Sequence, residues 1–404
     1  MIASNYNKVV FLIGSGLVIL GAFASATGIE GHSIISQTGA FFVSTSSIYF
    51  YLKKKKINRH GLLSVLFIML AWLFLLGVVN GHWVSHFAAD SLTFGLLFAA
   101  CVGDNQIIVD KLLKILTWVT PVATIVVLYN SLSMYSGASI QDRFADSLYS
   151  VSIIRANMML LYPTLFLALH FFKTSRIVRY SLCLNLLLIF YAGYRTATRE
   201  FFLVAIIATL MILFLFIYER RNFKSVLLYF SIIAMLANLF VLTLIINDFY
   251  QDVYIIQRLF NDKDTSGDFE GKNYRIYETE AIFKQFSLVQ KLTGDGFGAS
   301  QNVGIFKSVV HGVTSAHLGF GHLILKGGIF FLSLFLGIAC YVIFCSFCIK
   351  DFALIMNSCW IILFLSQSFF MHTTFSINMP FLLFSVVLGQ SLYQIKQRGF
   401  KLKV

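Results

Sequence analysis

Apolar runs long enough to cross a lipid bilayer recur from one end of this chain to the other, broken mostly by short polar segments. A helix needs about 20 residues to span the roughly 30 Å hydrocarbon core, where every backbone polar group must be satisfied within the protein. Of the 404 residues, 58% are hydrophobic and 12% charged, and the mean hydropathy is +0.80. Soluble domains carry about a quarter charged residues. The pattern therefore predicts an all-α polytopic membrane protein.

Apolar runs between polar breaks give about twelve spans, near 9–26, 34–52, 61–79, 87–103, 115–130, 151–172, 180–193, 199–218, 225–246, 318–348, 352–371 and 376–394. Residues 1–246 then hold membrane helices 1–9, 247–317 form one long extracytoplasmic loop with short helices, and 318–404 hold helices 10–12 and a cytoplasmic tail. The first run leads into further spans and is expected to be a span itself, not a cleaved signal peptide. The run from Leu318 to Cys348 exceeds a span by about ten residues, roughly 15 Å of helix that must project or tilt.

Charge sets the orientation. With the N-terminus inside, the even-numbered connections and the two ends hold 19 of the 31 basic residues, Lys53 to Lys56 and Arg220, Arg221 and Lys224 among them. Short basic loops mark the cytoplasmic side, so both termini are expected there and the long loop outside. The net charge of +13 is thus explained by topology, and nucleic acid is not an expected partner. The six cysteines lie in or beside apolar runs, where they read as small core residues and not as disulfide or zinc ligands.

Polar chemistry concentrates in the loop from Asp248 to His317 and in a short turn. Arg195 and Arg199 flank that turn between spans seven and eight; at i, i+4 on a helix start their planar forks would share a face and could grip a phosphate or diphosphate. Snorkelling to the interface, or neutralisation by Glu200, is the plainer alternative. Arg143 and Arg155 add positive charge to the same face, and snorkelling explains Arg155 equally well.

Arg275 opens an amphipathic stretch that reads as a helix, with pairing to Glu278 at the surface as its bland alternative. The run Gly294-Asp-Gly-Phe-Gly298 ends that helix and permits close backbone approach, but lacks the strand and helix context of a nucleotide-binding loop. His311, His317 and His322 precede or open the tenth span. Residues 317 and 322 stand about 140° apart on a helix, which does not suit a shared metal. No metal or other cofactor is expected. A single histidine can still serve as a general base or bond an acceptor hydroxyl.

In order and spacing, the stretch from about Tyr194 to Leu336 resembles the O-antigen polymerases and O-antigen ligases. Thr198-Arg199 resembles the family's Ser/Thr-Arg between spans, Arg275 through Gly298 its arginine, amphipathic helix and Gly-x-Gly turn, and His317 with Gly328 its loop-ending histidine before a glycine. The family commonly has Asn after the histidine and an acidic residue two before the glycine; Leu318 and Lys326 stand there in this chain, leaving His322 as a rival to His317.

The resemblance implies an enzyme of the bacterial inner membrane, acting in lipopolysaccharide biosynthesis on the outer face. Its donor would be an undecaprenyl-diphosphate-linked oligosaccharide, used without nucleotide sugar or obligatory metal, and a chain-length regulator protein is a partner the resemblance allows. Arg199 and Arg275, helped by Arg195, would hold the diphosphate while His317 deprotonates the acceptor. A polymerase extends another lipid-linked repeat, and the alternative, a ligase, transfers the glycan to lipid A core. Transport is a third reading, but carriers place charge in broken helices of duplicated halves at mid-membrane, whereas here it gathers at one face and one loop.

Overall fold

The structure, a computed structural model, describes residues 2–53, 61–134, 160–161, 164, 166, 174–195, 199–220, 274–300, 319–370 and 375–398. Among these residues every regular element is helical. In chain order they are α1 (Ile2–Ala26), α2 (His32–Lys53), α3 (Gly61–Val79), α4 (Val84–Gly95), a 3-10 segment (Leu96–Val102), α5 (Gln106–Met134), α6 (Arg176–Arg195) and α7 (Arg199–Arg220). Then follow α8 (Tyr274–Gln285), α9 (Leu288–Thr293), α10 (Gly319–Ile349), α11 (Phe352–Phe370) and α12 (Met379–Gln397).

Five segments among the described residues are long and apolar enough to cross a membrane, Tyr6–Ala26, Gly61–Val79, Val84–Val102, Gln106–Asn130 and Gly319–Ile349. Only 28% of the Gly61–Val79 window is buried in the protein, and Ile68, Trp72 and Leu75 are exposed on it. Apolar surface of that extent is stable only against an apolar solvent, which makes this a membrane protein. The expected spans near 151–172 and 225–246 fall mainly or wholly outside the described residues. Two elements differ from the sequence reading: α5 starts at Gln106, so Lys111 and Lys114 ride on its first turns and not in a connection, and the fourth span changes to 3-10 at Leu96.

The helices pack through small residues and aromatics. Gly14 of α1 faces Gly39 of α2, and a β-carbon on either would come within 3 Å of the other helix's backbone. Such contacts let membrane helices approach closely where lipid is as apolar as the interface. Next to α1 lies α5, followed by α6, α7, α11 and α12, and α12 packs on the 3-10 segment, which packs on α2. Against α3, α11 and α12 lies α10. Trp360, Phe364, Phe381 and Phe384 are buried in the core, with Phe364 stacked on Phe384 at 4.2 Å.

Helix ends are capped by their own sequence. The side chain of Asn378 accepts from Phe381 N at 2.9 Å, with Pro380 in the first turn of α12, where its missing N–H costs nothing. Asp351 accepts from Leu354 N at the start of α11 and pairs with Arg398 past the end of α12. Nearby, Tyr218 near the end of α7 donates to Lys350 O at 3.2 Å, and Phe214 lies 6.2 Å from Phe347 of α10. The C-terminal ends of α7 and α10 therefore lie together.

Candidate functional site

Toward its N-terminal end α10 is broken. Its 31 residues are interrupted at Gly328, which adopts φ 63° and ψ −165°, a conformation that only glycine takes without strain. This is where the excess length goes: the residues from Gly319 to Gly327 form a separate N-terminal piece, and a span-length helix follows. The break also releases backbone acceptors. Leu325 O and Lys326 O would otherwise accept from Ile329 and Phe330 in the i to i+4 ladder; they accept instead from Asp295 N at 3.2 Å and Gly296 N at 2.9 Å.

The donors belong to the glycine run, which is seated between three membrane helices. Phe297 N donates to Leu73 O of α3 at 3.1 Å, and Gly298 N donates to the Asp90 carboxylate of α4 at 2.7 Å. Gly296 (φ 88°) has its α-carbon so close to α3 that a β-carbon would stand 2.4 Å from Gly77 N. The Phe297 ring is buried and stacks on Phe94 at 5.2 Å. Beneath it, Lys326 Nζ lies 2.6 Å from Asp90 Oδ2 and donates to Ala299 O at 2.5 Å. The two side chains are 0% and 6% exposed, so this is an enclosed charge pair whose remaining capacity is taken up by loop backbone.

Polar side chains close the other edge of the seat. Asn80 donates to both the backbone oxygen and Oδ1 of Asp295, each at 2.9 Å, and Gln290 donates to the same Oδ1 at 3.0 Å. His82 Nε2 lies 2.7 Å from Asp295 O and 3.4 Å from its Oδ2. Helix α9, capped by the reciprocal Ser287 and Gln290 bonds, holds Gln290 in place for this contact.

The arginines singled out in the sequence are positioned by backbone. Arg195 is the last residue of α6 and Arg199 the first of α7, with three residues outside the described ones between them. Arg275 is the second residue of α8. That helix is tied to the same seat, because its Ile282 is buried in one cluster with Ala299 and Leu325.

No protein-family model matches this chain, and neither does any curated protein.

His317, Arg143 and Arg155 lie outside the described residues. The rival His322 is described: it is 4% exposed in the N-terminal piece of α10, with its ring stacked on Phe94 at 5.8 Å. Among the described residues no group of three or more His, Cys, Asp or Glu side chains gathers as a metal site would require. Asp90, Asn80, His82 and Gln290 were not marked by sequence reasoning, and Lys326 only as a departure from a family pattern. One signal could have found the first and last of these. Asp90 and Lys326 are ionisable residues inside apolar runs, where such groups are expensive and normally pair.

Arg195 and Arg199 are thus carried at the end of α6 and the start of α7, and Arg275 on a loop helix that the seat ties to α10.

Proposed function

We propose that the protein is an O-antigen, or surface polysaccharide, polymerase working at the outer face of the bacterial inner membrane. A hydroxyl at the non-reducing end of one lipid-linked repeat attacks the anomeric carbon of the glycan on a second carrier. The bond from that carbon to the diphosphate oxygen breaks, and undecaprenyl diphosphate leaves with the electron pair. Arg199 and Arg275, helped by Arg195, neutralise the charge that develops on the diphosphate; preorganised electrostatic stabilisation of this kind is usually what lowers the barrier most. His317 takes the hydroxyl proton, the role implied by the family resemblance. Arg143 and Arg155 extend the positive surface along which the anionic donor approaches.

One observation carries this reading. The loop helix that holds Arg275 is tied to the N-terminal piece of α10 by the Ile282, Ala299 and Leu325 cluster, and Arg195 and Arg199 stand at the end of α6 and the start of α7, two helices that pack on each other. These residues are far apart in sequence, and a diphosphate needs donors converging from more than one side.

The test is surface polymer in cells carrying Arg199→Ala or Arg275→Ala. Each is expected to lower polymer about 100-fold, the scale on which one preorganised donor acts, with the protein still in the membrane. Lysine at either position is expected to restore only part, since an ammonium cannot match the bidentate fork. Unchanged polymer in both alanine variants would contradict the site.

A further inference from the structure

Asp90 and Lys326 are the enclosed ionisable pair of the loop seat, and each has a second partner on the loop backbone. The Asp90 carboxylate accepts from Gly298 N, and the Lys326 ammonium donates to Ala299 O, two adjacent residues of the same segment. The pair therefore reads backbone polarity: the anion sits where an N–H points in, the cation where a C=O points in. A loop shifted by one residue would present the wrong group to each. Ala299 is also buried beside Ile282 of α8. The ammonium that fixes Ala299 thus fixes the helix that carries Arg275.

We propose that Asp90 and Lys326 are positioning residues that seat the extracytoplasmic loop on the membrane helices in one register, and so set where α8 presents Arg275 to an anionic lipid-linked donor. The role in donor binding rests on the polymerase reading; the seating itself does not. A structural ion pair alone would tolerate exchange of its two charges. This pair does not, because after exchange a cation faces Gly298 N–H and an anion faces Ala299 C=O.

The experiment uses the full chain in lipid nanodiscs, comparing wild type with the exchange variant Asp90→Lys/Lys326→Asp and the uncharged variant Asp90→Asn/Lys326→Met. Amide hydrogen exchange is followed over residues 294–299 and over α3 and α10, and the KM for an undecaprenyl-diphosphate repeat unit is measured on the same samples. In the exchange variant the loop amides are expected to exchange at least about tenfold faster while amides of α3 and α10 keep wild-type protection, which is the loss of charge-assisted bonds without loss of the bundle. Donor KM is expected to rise about tenfold, where a merely smaller folded fraction would lower the maximal rate and leave KM alone. The uncharged variant keeps an acceptor for Gly298 N–H and should fall between.

Loop amides as protected in the exchange variant as in wild type would overturn the proposal. So would failure of both variants to fold, which would assign the pair to bundle stability, and so would faster loop exchange with unchanged KM. Faster loop exchange in a protein whose wild type transfers no glycan would leave the seating standing and overturn the polymerase reading instead.

Discussion

Two ion pairs of this chain differ in what surrounds them. Lys326 and Asp90 are enclosed by α4, α10 and the glycine run, whereas Arg398, 52% exposed, reaches Asp351 at the surface. Removing one partner of an enclosed pair strands the other charge, so Lys326→Met is expected to destabilise the protein by about 3–5 kcal/mol. Arg398→Ala is expected to cost no more than about 1 kcal/mol. Thermal unfolding of the two variants in the same detergent checks the contrast, and equal shifts would contradict it. Charge inside an apolar run was legible in the sequence for both Asp90 and Lys326. Their pairing was not, because periodicity along one helix says nothing about which other helix a residue meets. His82 and Asn80 gave no signal at all: they look like any polar residues of a short connection until Asp295 is brought to them.

Among the elements, α10 is the informative one. Its excess length was readable as a 31-residue apolar run, but the form the excess takes was not. The two glycines at 327 and 328 could have sat in a continuous helix at about 1 kcal/mol each relative to alanine. What selects the break is the loop, whose Asp295 and Gly296 amides replace the ladder partners that Leu325 and Lys326 give up. Gly328→Ala should therefore act on the seat: it places a β-carbon 2.4 Å from the backbone of Leu292 in a left-handed conformation, a strain of about 1–3 kcal/mol. The expected outcome is a loop cut by protease near residue 294 at concentrations that leave wild type intact. Resistance equal to wild type would show that the break is not needed for seating. The helix α8 was legible from its amphipathic pattern, and α9 matches a capping-box signature that can be read from Ser287 and Gln290.

For the whole molecule, composition was enough to define a membrane protein, and every regular element among the described residues is helical. The long polar stretch was legible as the feature outside that plan, and its residues 295–299 prove to be seated among α3, α4 and α10. The proposed chemistry is tested most directly by reconstituting the purified protein in liposomes with an undecaprenyl-diphosphate-linked repeat unit, with and without lipid A core, and resolving the products by gel and mass. A ladder growing on the lipid carrier in the absence of core, and lost in Arg199→Ala, is the predicted result; product only when core is supplied, or none in either case, would contradict a polymerase.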